Sequence, residues 1–463
     1  MTGVAPFLTI AEASRLIAAK KLSPVELTKA LLARIEAVDP KINAFLAVTE
    51  KQALTAARAA ERAVMAGNKS PLLGIPVAYK DIYETAGVAT TAHSRILRTN
   101  VPKDDAETVR RLREAGVVML GKLATHEFAI GGPAFDLPWP PAKNPWDTRR
   151  FTGGSSSGSA AAVAAGLALG ALGSDTGGSI RLPAAYCGIA GLKPTPGLVS
   201  RRGVIPLAPS LDTAGPMAWT AQDCAILLDV LAGHDPADPA SVPGPKISYA
   251  KSLDVPVTGL RVGVLRHLYE HDLPGTPELL HAMNHAIATL TSLGCRVDDV
   301  TLPSLQEYNA VGRVIISAEA YALHEATLHS RISDYSRTFR IRVLPGALVR
   351  ASDYIAAQRR RSDLIALTAK AFERVDVLLS TPTQGAAPIL TDQRPDDGFA
   401  RPLLTTLANV AAVPSLAVCA GWTVGGLPLG VEFIGPAWGD ATLLRLGHQF
   451  EHAAGTRGRR PEL

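Results

Sequence analysis

The sequence predicts an α/β fold in which helices cover both faces of a mixed, largely parallel sheet. Short apolar segments of strand length alternate with longer segments of helical periodicity, as such a fold requires. The apolar segments are continuous, which is typical of strands that are buried on both faces. The chain also holds 40 glycines and 34 prolines, more than average usage, which favours many tight turns between elements.

The chain begins with predicted helices over residues 8–66. Ser23 is a suitable N-cap, and Pro24 suits the first position of a helix. The spacing of Leu27, Leu31 and Ile35 places apolar side chains on one helix face. The elements predicted up to residue 120 are helices over 25–38 and 51–66, a strand over 75–79, a helix capped by Asp104 and Asp105 that runs to Glu114, and a strand over 117–120.

The remaining sequence continues the same alternation. A Gly- and Pro-rich loop is predicted over 131–150. The later helices are predicted over 157–167, 220–231, 277–293, 305–330, 350–374 and 441–452, and the strands over 261–265, 295–302, 375–380, 415–418 and 427–434. We expect one domain over residues 1–463, composed of N-terminal helices (8–66), a core (70–220), a surface crossing (233–258) and a second half (259–463).

Two glycine-rich turns, each carrying a serine, form the most informative motif. They span residues 153–156 and 175–179. Glycine lets the backbone approach a ligand closely. A serine in such a turn is a candidate nucleophile, and the neighbouring backbone N–H groups are candidate donors to an oxyanion. Lys80 ends the predicted strand 75–79 and is a candidate base, provided that burial keeps its amine uncharged.

With these motifs the sequence resembles the amidase signature family. Ser155 follows Lys80 by 75 residues and Ser179 follows Ser155 by 24, the intervals that the family pattern has. The resemblance implies the fold of that family and a Ser-Ser-Lys triad in which Ser179 attacks the substrate, Ser155 relays the proton and Lys80 receives it. It also implies a cis peptide bond between Gly154 and Ser155.

Roles can also be assigned to further residues around the two turns. The backbone N–H groups of Thr176, Gly177 and Gly178 are the expected oxyanion donors, together with that of Ser179 itself. Asp175 and Arg181 match the family pattern and are expected to hold the turns in place, with binding of a substrate carboxylate by Arg181 as a second option. By the same resemblance, the region before the serines lines the substrate pocket, for which the candidates are Gly131, Gly132, Trp139 and Trp146.

The sequence thus predicts a serine amidohydrolase that cleaves a linear carbon–nitrogen bond through an acyl-enzyme. Its expected partner is a small-molecule amide or carbamate, with esters as related substrates. The scheme uses no organic cofactor and no metal. The four cysteines lie far apart with no Cys-x-x-Cys motif, which agrees with that expectation.

Three alternatives stay open. The glutamine-hydrolysing subunit of the tRNA-dependent amidotransferase belongs to the same family, but residues 404–409 and the 131–146 loop depart from its pattern. A Gly-Ser loop before a helix also suits a nucleotide-binding enzyme. Finally, residues 154–158 fit the Gly-x-Ser-x-Gly nucleophile elbow, which would make Ser156 the nucleophile with His448 or His452 as its base.

Composition limits the remaining classes. The net charge is +5, but the basic pairs are scattered and aromatic residues make up only 5%, which argues against a nucleic-acid groove. The longest apolar run, residues 160–172, is too short to cross a bilayer, and no signal peptide is evident. We therefore expect a cytoplasmic protein, monomeric or homodimeric, that binds neither nucleic acid nor membrane.

Overall fold

A computed structural model describes residues 7–394 and 402–463. In this part of the chain, eleven strands form one sheet and two further strands form a separate hairpin. The sheet strands are β1 (Phe45–Val48), β2 (Pro76–Lys80), β3 (Val118–Leu123), β6 (Gly170–Asp175), β7 (Ala190–Lys193), β8 (Thr213–Ala218), β9 (Arg261–Val264), β10 (Arg296–Asp299), β11 (Val377–Ser380), β12 (Ser415–Trp422) and β13 (Pro428–Ile434). The hairpin consists of β4 (Lys143–Asn144) and β5 (Asp147–Phe151).

The strand order brings the two glycine-rich turns near Lys80. It reads β1-β3-β2-β6-β8-β7-β12-β13-β11-β9-β10. Strands β3, β2 and β6 pair in parallel, as do β11, β9 and β10, and antiparallel pairs join these two blocks. The predicted mixed α/β sheet is confirmed. Lys80 and Asp175 end adjacent parallel strands and therefore lie at the same edge of the sheet.

Helices pack around this sheet. They are α1 (Ile10–Ala18), α2 (Pro24–Ile42), α3 (Glu50–Met65), α4 (Glu107–Glu114), α5 (Ser157–Ala164), α6 (Arg181–Cys187), α7 (Ala221–Leu231), α8 (Pro277–Ser292), α9 (Leu305–Arg331), α10 (Arg337–Val343), α11 (Ala351–Ala371), α12 (Thr406–Val410) and α13 (Asp440–Ala454). One continuous cluster of buried apolar side chains reaches from Ile10 to Phe450. The assignment of residues 1–463 to a single domain remains a prediction.

The N-cap predicted for α2 is present, whereas the one predicted for α4 is not. The Ser23 hydroxyl accepts from the backbone of Val25 and Glu26 at the start of α2, as predicted. Helix α4, in contrast, begins after Ala106 and has no side-chain cap. Asp105 instead accepts from the Ala86 backbone at 2.8 Å and pairs with Arg113, so that it ties a loop to the helix.

Helix α5 shows why small residues follow the first glycine-rich turn. All eight of its residues are buried. A Cβ added to Gly158 would lie 2.4 Å from the carbonyl oxygen of Ala44 and 2.5 Å from the amide nitrogen of Ala124. Because glycine has no side chain, the helix can approach the ends of β1 and β3 closely. This contact helps to fix the turn that carries Ser155.

Several short elements lie where the sequence predicts something else. Strand β1 interrupts the predicted helical region 8–66, and β4–β5 lies inside and just beyond the predicted loop 131–150. Strand β6 falls in the Ala- and Gly-rich segment between the two turns. These strands are short or poor in β-branched residues, so pairing with neighbours decides their conformation more than local propensity does.

Among the described residues, the cysteines and the long helices give no indication of a disulfide or of a membrane span. Cys187, Cys224, Cys295 and Cys419 are all buried free thiols. Among the helices of the described residues, none combines the length and apolar character needed to cross a membrane. Within the same residues, no group of three or more potential metal ligands comes together.

Candidate active site

Lys80 lies at the C-terminal tip of β2 with its amine surrounded by serine hydroxyls. Its Nζ is 2.7 Å from Ser155 Oγ, 2.8 Å from Ser174 Oγ and 3.1 Å from Ser156 Oγ. The side chain is fully buried. The following residue, Asp81, is occupied elsewhere, because it pairs with Lys122 at 3.2 Å.

The environment of Lys80 favours an uncharged amine. Burial lowers the pKa of Lys80 from 10.5 to about 7, and the negative charges of Asp175 and Asp212 only partly oppose this. A large fraction of the lysine is therefore neutral near pH 7, so the amine can accept a proton from the Ser155 hydroxyl that it contacts.

The structure brings the two glycine-rich turns into direct contact. The backbone N–H of Ser156 donates to the carbonyl oxygen of Ser179 at 3.2 Å. The peptide bond between Gly154 and Ser155 is cis, as the resemblance implied. Ser155 and Ser179 both line one cavity, so the three residues expected to form a triad lie at one site.

Asp175 shapes the turn that carries Ser179. Its carboxylate accepts from the backbone N–H groups of Gly178 at 2.8 Å and Ile180 at 3.1 Å. Gly178 has φ of +124°, a conformation that favours glycine. Because its N–H already donates to Asp175, Gly178 is not available as an oxyanion donor in this arrangement. The remaining expected donors are the N–H groups of Thr176, Gly177 and Ser179, and all three residues line the same cavity.

Arg181 is held in a buried cluster that also contains Asp175, Thr405, Asn409 and Glu432, here called the Arg181 cluster. Its guanidinium donates to Asp175 at 2.8 and 3.0 Å, Asn409 at 2.6 Å and the Thr405 carbonyl at 2.8 Å, and it pairs with Glu432. Burial raises the pKa of Asp175, but the charge and hydrogen bonds of Arg181 outweigh this and hold it well below its usual value. Arg181 therefore supports the turn, and binding of a substrate carboxylate by Arg181 is ruled out by these contacts.

Three residues of the Arg181 cluster were not predicted from the sequence. The Thr405 hydroxyl donates to the Gly177 carbonyl at 2.6 Å, and Asn409 donates to the Asp175 carboxylate at 2.8 Å. Glu432 is a single acid within the apolar strand β13. A lone charge in an apolar run was the available signal for Glu432, since a fully buried carboxylate needs a partner.

The cavity that holds Ser155 and Ser179, here called the serine cavity, has a volume of about 410 Å³. Gly131 and Gly132 are among the residues that line it, and their role in a substrate pocket remains a prediction. Its larger apolar lining residues are Ile130, Phe151, Leu182, Tyr186, Leu207, Ile316, Pro388 and Leu403. The described lining also includes Arg342 and Arg394 but no aspartate or glutamate. A mostly apolar cavity with a few polar groups is typical of a small-molecule site.

The two tryptophans expected in the pocket lie elsewhere. Neither is among the described residues that line the serine cavity. The Trp139 carbonyl contacts His93 Nε2 at 3.1 Å, and its ring packs edge-on against the same histidine. Trp146 packs against Trp422 and donates from Nε1 to the Cys187 carbonyl at 2.9 Å. Both rings thus pack against other side chains, and neither contributes to the described lining of the serine cavity.

The nucleophile-elbow alternative receives no support from the geometry. Ser156 contacts Lys80 and the carbonyl of Ser174, not a histidine. His448 and His452 lie on α13 and line a different cavity, beside Arg457 and Trp219. Ser156 therefore belongs to the surroundings of the lysine rather than to a Ser–His pair.

Comparison with known proteins identifies the family of this chain. The profile of the family described as Amidase matches residues 26–444. The chain belongs to the amidase signature family. One similar relative is a glutamyl-tRNA(Gln) amidotransferase subunit from Geobacter metallireducens, which is 40% identical over 473 residues, covering 96% of this chain and 97% of the relative.

Solved structures superpose on nearly the whole chain. A chain of an inhibitor-bound vestigial protein complex, described as revealing the evolutionary origins of an s-triazine catabolic enzyme, has a TM-score of 0.91 at 33% identity, covering 98% of this chain and all of the other. The peptide amidase of Stenotrophomonas maltophilia has a TM-score of 0.83 at 33% identity, covering 98% of each chain. The predicted family and fold are thereby confirmed.

Proposed function

We propose that this protein hydrolyses a linear carbon–nitrogen bond, in an amide or a carbamate, through an acyl-enzyme on Ser179. The contact between Lys80 Nζ and Ser155 Oγ, 2.7 Å long and fully buried, carries the proposal. A lowered lysine pKa beside a serine is the arrangement that a lysine-dependent serine hydrolase needs. Esters are related substrates because the same acyl-enzyme forms from them.

The proposed reaction moves one proton along the three side chains. Ser179 Oγ attacks the carbonyl carbon while its proton passes to Ser155, and the Ser155 proton passes to Lys80 Nζ. The N–H groups of Thr176, Gly177 and Ser179 donate to the oxyanion that forms. When the C–N bond breaks, the leaving nitrogen takes its proton from Ser155, which recovers one from Lys80. Water then releases the acyl group by the same route, so no proton is gained or lost by the enzyme.

A second candidate is the glutamine-hydrolysing subunit of a tRNA-dependent amidotransferase. The curated relatives favour it, because the amidotransferase subunit from Geobacter metallireducens is 40% identical over almost its full length. The arginines of the serine cavity also favour it, since a carboxylate-bearing amide such as glutamine would meet their positive charge. The chemistry at Ser179 is shared by both candidates, which differ in the amide cleaved and in the need for partner subunits.

A substrate panel separates the two candidates. We would measure amine or ammonia release from glutamine, aliphatic and aryl amides, carbamates and ureas with the purified chain. Turnover of glutamine alone, together with co-purification of further subunits from the native host, supports the amidotransferase role. Turnover of other amides or carbamates by the isolated chain supports the free amidohydrolase.

The nucleophile is tested on the same panel. We expect Ser179→Ala to lose turnover and to leave the protein without the acyl adduct that mass spectrometry detects on the wild type. Ser156→Ala is the matched variant, since Ser156 contacts Lys80 but does not line the serine cavity among the described residues. The proposed mechanism would be overturned if the acyl adduct were still present on Ser179→Ala but absent from Ser156→Ala.

A further inference from the structure

His126 occupies a fixed position against the turn that carries Ser155. Its ring stacks on Phe151, with centroids 5.8 Å apart and planes inclined by 13°. A Cβ added to Gly154 would lie 2.1 Å from His126 Cε1 and 2.3 Å from Nε2. The backbone N–H of His126 donates to the Ser155 carbonyl at 3.1 Å. The imidazole is thus packed directly against the backbone beside the proposed proton relay.

One nitrogen of this ring, Nε2, is buried without a hydrogen-bond partner among the described residues. His126 is 8% exposed and is one of the residues that line the serine cavity. A buried nitrogen beside a cavity costs free energy unless another molecule supplies the missing hydrogen bond.

We infer that His126 Nε2 forms a hydrogen bond with the bound substrate and so makes His126 a substrate-positioning residue. This inference rests on the proposed function, since it needs an amide or carbamate in the serine cavity. The group recognised is an uncharged polar one, such as an amide, carbamate or urea N–H or carbonyl, beside the bond that is cleaved.

The charge state of the ring explains this choice of group. Burial, followed by the positive charges of Lys80 and His93, lowers the pKa of His126 to about 3. The imidazole is then neutral at any working pH, with one nitrogen as donor and the other as acceptor. Such a ring pairs well with amide groups, and it lacks the charge needed to attract a carboxylate or an ammonium group.

A buried water is the competing explanation for the unpartnered nitrogen. His126 also lines a small cavity of about 10 Å³, next to Thr125. Thr125 Oγ1 is likewise buried without a partner among the described residues. A water held between these two side chains would satisfy both of them and would give His126 a structural role alone. The two explanations differ in what a substitution at Thr125 does.

Three variants test the inference: His126→Phe, which keeps the stacked ring; His126→Asn, which keeps a donor and an acceptor; and Thr125→Val. We would measure kcat and KM for the best amide of the panel, the Kd of that amide for each variant in the Ser179→Ala background by calorimetry, and the melting temperature. We expect His126→Phe to lower kcat/KM and weaken amide binding about 10- to 100-fold. We expect His126→Asn to recover most of that loss and Thr125→Val to change neither quantity.

Two results overturn the inference while the proposed function stands. One is a His126→Phe variant whose kcat/KM and Kd equal those of the wild type. The other is an equal loss in all three variants together with a lower melting temperature, the signature of the buried water. If the wild-type chain releases amine from no member of the panel, the proposed function and this inference fail together.

Discussion

The amine of Lys80 and the hydroxyl of Ser155 lie 2.7 Å apart although 75 residues separate them in the chain. Lys80 is 0% exposed and Ser155 is 2% exposed. Strand β2 delivers the amine to the edge of the sheet, and the turn before α5 delivers the hydroxyl to the same place. Bulk water is excluded from this contact, so a proton can pass directly between the two groups.

Replacement of Lys80 tests this proton transfer. We expect Lys80→Met to lower kcat/KM by about 10²- to 10⁴-fold, the range that one general base supplies. Lys193→Met is the matched control, because burial also lowers the pKa of Lys193 to about 7 and Lys193 does not line the serine cavity among the described residues. The control should stay within a few-fold of wild type in an initial-rate assay. Equal losses in both variants would show that removing a buried lysine impairs the protein in general, and would contradict the role of Lys80 as the base.

The pH profile of kcat/KM provides a second test of Lys80. Its lowered pKa of about 7 means that the neutral, proton-accepting form is lost as the pH falls below that value. We expect the rate to fall about tenfold per pH unit below about pH 7 and to be level above it. His126, with its pKa lowered to about 3, titrates outside this window. A profile that is flat between pH 5 and 9 would contradict the assignment of Lys80 as the base.

Two adjacent glycines of the second turn provide a contrast. A Cβ at Gly178 would lie 2.0 Å from Thr405 Oγ1, and its φ of +124° is unfavourable for alanine. A Cβ at Gly177 would meet only Ile316, at 3.8 Å. We expect Gly178→Ala to lower kcat at least about 100-fold and to reduce the melting temperature, because the oxyanion turn must shift. Gly177→Ala should keep the wild-type melting temperature; comparable melting in both variants would refute the strain argument.

Arg181 is expected to contribute to stability rather than to substrate binding. Arg181→Met would leave the buried carboxylates Asp175 and Glu432 without their cation, which costs about 3–5 kcal/mol. Urea denaturation followed by circular dichroism measures this free energy of unfolding. The control is Arg350→Met, which breaks an exposed pair with Asp353 and should leave the unfolding curve unchanged. A wild-type unfolding midpoint in Arg181→Met would contradict this role.

The sequence predicts the core of the candidate site well because its signals are local. The two glycine-rich turns each lie within a few residues, and the strand that carries Lys80 is a continuous apolar run. The predicted strand over 75–79 differs from β2 (Pro76–Lys80) by one residue at each end. Local steric demands for glycine and local hydrophobicity are enough to identify these elements.

The parts that were not predicted depend on contacts between distant segments. Asn409 acts on Asp175 across 234 residues, and no local pattern relates the two. His126 has the sequence context of an ordinary structural histidine, and only the folded chain brings it to the serine cavity. Trp139 and Trp146 were expected in the pocket because their loop precedes the serines, yet tertiary packing directs both rings into other contacts.

The Arg181 cluster has a consequence for synthesis on the ribosome. Arg181 takes partners that are 224 and 251 residues further along the chain, at Thr405 and Glu432. A nascent chain that has emerged only as far as β11 already contains every proposed catalytic side chain, but it lacks these anchors. Translation must therefore be almost complete before the protein acquires a working oxyanion turn, and fragments released early by stalled ribosomes should be inert toward the substrate.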